Sequence, residues 1–220
     1  MSLAIENIAK GDLMAEIKAV VFDYGNVLCK PPLEDDIQSM AGLLDTNKNL
    51  FENAYWQHRL DYDCGLTDKV QYWTAVSGSL GKSVDRKAIN DLTRLDVLSW
   101  SRPDPEMLTF VENLVNSNVP MAILSNMPRD LKEWVEDDCD WLPEFSHRTY
   151  SCDLKCAKPD PKIYSHSKGG FDSHESSLAF VDDRIENVEA AIASGMQAFH
   201  FKGLADLLEQ LKGSNLVGLN

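Results

Sequence analysis

Three short, wholly apolar runs in this chain each end abruptly in side chains that can do chemistry. Ala19-Val20-Val21-Phe22 delivers Asp23, Met121-Ala122-Ile123-Leu124 delivers Ser125 and Asn126, and Leu178-Ala179-Phe180-Val181 delivers Asp182 and Asp183. A continuous apolar run of this length, without alternation, reads as a strand buried on both faces, as in a parallel sheet. Weaker strands are expected at 146–151 and 197–201. Helical patterns fill the intervals. After Pro103-Asp104-Pro105, a core-facing stripe runs through Met107, Phe110, Val111, Leu114 and Val115; Ile185, Val188, Ala191 and Ile192 repeat that spacing until Gly195 stops the helix. The alternation predicts an α/β fold: a Rossmann-like open parallel sheet with helices on both faces. Ligands of such sheets sit beyond the carboxyl ends of the strands, where Asp23, Ser125 and the Asp182–Asp183 pair all fall.

One interval is too long for this scheme. Roughly a hundred residues separate Asp23 from Ser125, whereas a strand–helix–strand crossover takes about 30. The surplus carries helical stripes of its own, Phe51, Ala54, Tyr55 and His58 on one, Val70, Trp73 and Val76 on another. An insertion leaving from the active end of the first strand lies where it can cover a site. Residues 30–101 are therefore expected to form an α-helical cap, with 1–29 and 102–220 as the core.

Composition excludes several classes of function. With 35 acidic against 21 basic side chains, the net charge is −14 and there is no basic patch, so a nucleic-acid partner is not expected. The densest charge run, Asp130 to Glu144, holds seven carboxylates and only Lys132, and reads as a solvated helix face. No stretch approaches the roughly 18 apolar residues of a membrane span. Glu6, Lys10, Asp12 and Glu16 stand where a secretory signal would be apolar. Five cysteines without C-x-x-C spacing suit reduced thiols, and Cys152 and Cys156 with His147 fall short of a four-ligand zinc site. The expectation is a cytoplasmic protein, monomeric or homodimeric, acting on a small molecule.

Taken singly, the polar residues at the strand ends have plain explanations: Asp23, Ser125 and the Asp pair as helix caps, Lys158 as a solvated side chain before Pro159-Asp160-Pro161. Together they share one crevice. Three carboxylates there repel one another, which raises pKa values or calls for a cation. Mg²⁺ takes one or two carboxylates plus water and phosphate oxygens, and a lysine and a hydroxyl beside it suit a phosphoryl group.

Phe22-Asp23-Tyr24-Gly25-Asn26-Val27-Leu28, Leu124-Ser125-Asn126, Lys158-Pro159-Asp160-Pro161-Lys162-Ile163-Tyr164, and Phe180-Val181-Asp182-Asp183 with Asn187 and Gly195-Met196 follow in that order. This set resembles the haloacid dehalogenase-like hydrolase superfamily over about 18–202. The 30–101 insertion is similar to the helical cap of one subfamily, and the motif forms look most like sugar 1-phosphate phosphatases. The resemblance implies a phosphatase for a small organic phosphate, such as a sugar phosphate. Asp23 would be the nucleophile carrying an aspartyl-phosphate, and Asp23, the Gly25 carbonyl, Asp182 and Asp183 would bind Mg²⁺. Ser125 and the Asn126 amide would hold phosphate oxygens, and Lys158 would neutralise charge between Asp23 and the phosphoryl group. Gly25, Asn26, Asn126, His58 and Arg59 are expected on the substrate, with Tyr62 or Trp56 stacking on it and Asp63-Cys64-Gly65 as a turn toward the site.

One departure stands out. Most phosphatases of the superfamily carry a second Asp as general acid where this chain has Gly25, and loss of such an acid costs about 10²–10⁴ in rate. The similar sugar 1-phosphate group shares the gap. Two rival readings remain: a dehalogenase, whose branch also lacks that Asp but usually lacks the metal-binding Asp pair, and a non-catalytic phosphate-binding homologue.

Overall fold

The computed structural model describes residues 16–172, 174–212, 214 and 216. The expectations that rest on the first fifteen residues lie outside that range. In chain order, β1 (Ala19–Phe22) is followed by four helices, α1 (Glu34–Leu43), α2 (Lys48–Asp63), α3 (Lys69–Ser79) and α4 (Arg86–Ser99). Then come α5 (Pro105–Asn116), β2 (Met121–Ser125), α6 (Arg129–Asp138), β3 (His147–Tyr150) and the one-turn α7 (Ser151–Leu154). The chain continues with α8 (Pro161–Lys168), β4 (Leu178–Asp182), α9 (Ile185–Ala193), β5 (Gln197–His200) and α10 (Leu204–Leu211). The five strands form one parallel sheet in the order β3-β2-β1-β4-β5.

Every residue of β1, β2 and β4 is buried, as expected for strands covered on both faces. The two-residue period sends alternate side chains to opposite layers. Val20 and Phe22 join the layer under α5, α6 and α10, with Phe110, Leu131 and Leu207. Ala19 and Val21 join the layer under α8 and α9, with Ile163, Tyr164 and Ala191. β1 is central, and Phe22 pairs with Ile123 on one side and Val181 on the other. That register brings Asp23, the end of β2 and Asp182 to one level. Helix starts follow local chemistry: Asp104 caps α5 ahead of Pro105, and Asp160 caps α8 ahead of Pro161.

The four helices between β1 and α5 bury a cluster of their own, including Met40, Phe51, Tyr55, Trp73, Val76 and Leu92. Asn47, Asp68 and Asp85 cap α2, α3 and α4 by accepting backbone N–H bonds. Some apolar residues expected inside are outside. Val70, in the first turn of α3, is 49% exposed, and Ile185 and Ile192 are about half exposed at 49% and 46%. The buried arc of α9 is turned toward Asn187, Val188 and Ala191, where Asn187 donates to Asp182 at the carboxyl end of β4. On α6, Leu131 and Val135 face inward while Glu133, Asp137 and Asp138 are exposed. That is the solvated face expected of the acidic run. All five cysteines are free thiols.

The helical cluster hangs on Trp73, which is fully buried, lies 4.7 Å from Tyr72 ring to ring, and donates its indole N–H to Thr93 Oγ1 at 3.0 Å. Trp73→Ala should cost about 3–5 kcal/mol in urea denaturation, and Trp73→Phe markedly less, because the phenyl ring refills most of the space.

Candidate active site

The centre of the site is the Lys158 ammonium. It lies 2.8 Å from Asp23 Oδ1 and 2.7 Å from Asp182 Oδ2, and donates to the Leu124 carbonyl at 3.0 Å. Three acceptors thus take its three protons. Its backbone is clamped by Asn126, whose Oδ1 accepts the Lys158 N–H at 2.8 Å and whose Nδ2 donates to the Lys158 carbonyl at 3.0 Å. Asp23 Oδ1 also accepts the Tyr24 N–H at 2.7 Å. Asp182, wholly buried, accepts from the Arg184 N–H at 2.8 Å and from Asn187 Nδ2 at 3.0 and 3.1 Å. Asp183 Oδ2 accepts from Asn26 Nδ2 at 2.8 Å. Asn26 takes a left-handed φ of 60°, which Asn tolerates better than most residues.

Asp23, Asp182 and Asp183 present carboxylate oxygens all within 4.8 Å of one another, the only such cluster among the described residues. One ammonium faces three carboxylates. Burial pushes the Asp23 carboxyl up to about 7; Lys158 opposes the rise, and Asp182 and Asp183 add to it. Burial also raises Asp183, with the Asn26 bond opposing. For Lys158, burial works against the charge, yet Asp182 and Asp23 outweigh it and hold the ammonium above the ordinary lysine value.

This excess of hard, negative oxygen fits a divalent cation. Asn26 Oδ1, next to the Asp183 contact, is buried and has no partner, and a metal-bound water would supply its missing donor. Asp182 is met by four donor contacts, one of them from Lys158, which ties it to the lysine.

A cavity of about 360 Å³ opens over these groups. Asp23, Gly25, Asn26, Ser125, Asn126, Lys158, Asp183 and Arg59 all line it; Asp182 lies behind it. One expectation needs correction. His58 does not line the cavity, and its Nε2 lies 2.8 Å from Ser79 Oγ. The cavity-facing stripe of α2 is Trp56, Arg59, Leu60 and Asp63, with the helical spacing that leaves position 58 to one side. Arg59 lines the cavity, but its guanidinium is committed: Nε to Asp63 Oδ1 at 2.7 Å, Nη1 to Asp96 Oδ1 at 2.9 Å, and Nη1 to the Tyr55 hydroxyl. Burial lifts the Asp63 carboxyl to about 6, against the pull of Arg59. Tyr62 is buried and stacked on Tyr72 at 4.3 Å, whereas Trp56 does reach the cavity.

Sequence reasoning missed Trp100 as a wall of this cavity. A Cβ on Gly25 would lie 3.3 Å from Trp100 Cζ3, so the indole stands against the place where the superfamily's second Asp would begin. No spacing signal pointed there, because the contact joins the loop after β1 to the end of α4.

A doubly wound sheet with a lysine–carboxylate crevice at its strand ends defines the class, and the comparisons agree with it. The profile of the haloacid dehalogenase-like hydrolases matches residues 17–195, and the chain belongs to that family. It is 25% identical over 186 residues to the sesquiterpene phosphatase astK of Aspergillus oryzae, covering 83% of this chain and 89% of that protein. It is likewise 25% identical over 190 residues to phosphatase MT3486 of Mycobacterium tuberculosis, covering 83% and 86%. Among solved structures, the HAD family enzyme bt-2542 of Bacteroides thetaiotaomicron superposes with a TM-score of 0.72 at 19% identity, over 89% of this chain and 98% of that one. The L-2-haloacid dehalogenase RSc1362 superposes with 0.69 at 18%, over 86% and 88%. No helix of the described residues is long and apolar enough to cross a membrane.

The raised Asp23 pKa has a measurable consequence. Its unfolded-state value is 3.8 and its folded value about 7, so between them the folded state holds the extra proton and loses stability as pH rises. Asp23→Asn carries no such charge at any pH. In metal-free buffer its melting temperature should gain on the parent's by about 5 °C or more between pH 4 and pH 8. A gap that stays constant with pH would show that Asp23 is ionised throughout.

Proposed function

We propose that this protein is a Mg²⁺-dependent phosphatase that cleaves a small phosphorylated metabolite through an aspartyl-phosphate on Asp23, with residues 30–101 acting as a cap over the site. The observation that carries this reading is the Lys158 ammonium held between Asp23 and Asp182 beneath a cavity edged by Ser125 and Asp183. The two phosphatases among its relatives support it. So does a structure of bt-2542 in complex with magnesium and inorganic phosphate, with a TM-score of 0.67 at 20% identity over 84% of this chain and 94% of that one.

Asp23 Oδ1 is held by Lys158 and the Tyr24 amide, so Oδ2 is the attacking oxygen. It bonds to phosphorus as the ester P–O bond breaks, and the alcohol oxygen leaves with the bonding pair. Water then attacks the same phosphorus, releasing phosphate and restoring the carboxylate. The Ser125 hydroxyl and the Asn126 backbone N–H hold non-bridging oxygens; the Asn126 side chain is already spent on the Lys158 backbone. Lys158 supplies fixed positive charge at the phosphoryl group, where preorganised electrostatics carries most of the catalysis. Mg²⁺, held by Asp23, Asp183 and the Gly25 carbonyl, would neutralise phosphoryl charge. Asn26 orients Asp183, and Asn187 with the Arg184 amide orients Asp182.

With glycine at 25, no carboxyl follows the nucleophile to protonate the leaving oxygen. Esters whose leaving oxygen is a weak base, aryl, enol or anomeric, are therefore the favoured substrates. The dehalogenase reading shares the fold but gives no use to the surplus carboxylates.

Three measurements test the proposal. Asp23→Asn should lose at least about 10³-fold in turnover of an aryl phosphate while remaining folded, and activity within tenfold of the parent would refute the assignment. Mg²⁺ should raise the melting temperature of the parent, and Asp183→Ala should abolish that rise. Across aryl and alkyl phosphates, log k for phosphorylation of the enzyme should fall steeply as the leaving-group pKa climbs; a shallow slope would mean that another residue supplies the proton.

A further inference from the structure

Beyond its carboxylates, the cavity has an apolar wall. Trp56 and Leu60 project into it from α2, one helical turn apart, Trp100 closes the end of α4, and Leu131 comes from α6. Trp56 and Leu60 are 54% and 59% exposed, two large apolar side chains left uncovered beside a reaction site. Trp100 lies nearest the chemistry, since its ring carbon would be 3.3 Å from a Cβ on Gly25. It is fixed there: its indole N–H donates to the Tyr55 hydroxyl at 3.2 Å, and its carbonyl accepts from the Tyr24 hydroxyl at 2.8 Å.

The charges lining the cavity point the same way. Its cations are Lys158, Arg59 and Arg184. Lys158 sits between Asp23 and Asp182, Arg59 between Asp63 and Asp96, and Arg184 pairs with Glu186. Among the described lining residues, every cation is therefore matched by a carboxylate. A second anionic group on the substrate would have to draw one of these cations from its carboxylate, and would face Asp63 and Glu186.

We propose that the alcohol half of the substrate is an apolar, uncharged group that packs on Trp56, Leu60 and Trp100. This rests on the phosphatase reading, which sets the phosphoryl end at Asp23 and Lys158. The apolar wall then selects the substrate as the phosphate ester of a hydrophobic alcohol, an alternative to the sugar phosphate that the motif forms suggest.

Alkylphosphonates, which cannot be hydrolysed, read binding apart from turnover. With Mg²⁺ present, calorimetric affinity should rise about two- to fourfold per methylene from methyl- to hexylphosphonate, the gain expected when each methylene leaves water. A probe of the same length ending in a carboxylate, 5-carboxypentylphosphonate, should lose at least about tenfold against hexylphosphonate. Trp56→Ala and Leu60→Ala, at positions 54% and 59% exposed, should flatten the chain-length series. A flat series in the parent, or equal binding of the carboxylate-ended probe, overturns the proposal. Release of phosphate from p-nitrophenyl phosphate is measured alongside. Turnover with a flat phosphonate series rejects the apolar subsite and keeps the phosphatase; a steep series without turnover does the reverse.

Discussion

The site depends on one buried ammonium. Lys158 is 4% exposed and gives its three protons to Asp23, Asp182 and the Leu124 carbonyl, on three adjacent strands of the sheet. A buried charge survives only where its partners replace water in full, and here they come from the carboxyl ends of β1, β2 and β4. The register of the sheet is thus a condition for the lysine, and the lysine is what keeps Asp23 and Asp182 side by side. Removing it would leave two carboxylates facing one another without compensation, a situation that costs about 3–5 kcal/mol in buried pairs. Asn126 fixes the lysine's backbone and Asn187 fixes its partner, so the polar groups around Asp23 form one connected set.

The helical segment repeats this device. Arg59 sits between Asp63 and Asp96 as Lys158 sits between Asp23 and Asp182. The two sets differ in their surplus. Lys158 is outnumbered by three carboxylates within metal-binding reach, which makes that end the candidate cation site. Arg59 is enclosed by aromatic rings and has the Tyr55 hydroxyl at Nη1, so it serves the shape of α2 and leaves little positive charge for a ligand. The segment is also tied to the sheet side near the cavity. Ser151 Oγ donates to the Asp63 carbonyl, Lys155 Nζ to the Gly65 carbonyl, and Tyr62 and Lys69 both reach Asp130. These bonds hold the stripe of Trp56, Leu60 and Asp63 over the strand ends.

Much of this was legible because the signals are local. A four-residue apolar run followed by an acid names both a buried strand and the residue at its end. For that reason Asp23, Ser125 and Asp182–Asp183 could be assigned to one crevice before any coordinates. The length of the interval between β1 and β2 implied an added helical unit. What stayed hidden depends on helix rotation and on contacts distant in the chain. His58 and Arg59 are neighbours in sequence, but a step of about 100° separates their directions, and only one of them reaches the cavity. That Arg59 is spent on Asp96, far along the chain on α4, leaves no trace in its own neighbourhood. Burial of Ile185 was expected from spacing alone and failed because Asn187 claims the inward arc for Asp182.

Gly25 and Trp100 are best understood as one feature. The backbone at 25 is not in the left-handed region, so conformation does not demand glycine there; a Cβ would instead meet the Trp100 indole at 3.3 Å, a tight contact that asks the ring to give by a few tenths of an ångström. A carboxylate at 25 would be desolvated against an aromatic ring and would add a further negative charge beside three others, both of which raise its free energy. Trp100 is restrained, since its N–H is bonded to Tyr55 on α2 and its carbonyl to Tyr24 in the loop after β1. On the proposed reading, the ring offers an apolar surface where an acid would stand beside the leaving group. Loss of proton donation and gain of apolar contact are two results of the same packing choice, and a hydrophobic alcohol that leaves as a stabilised anion is the chemistry that satisfies both.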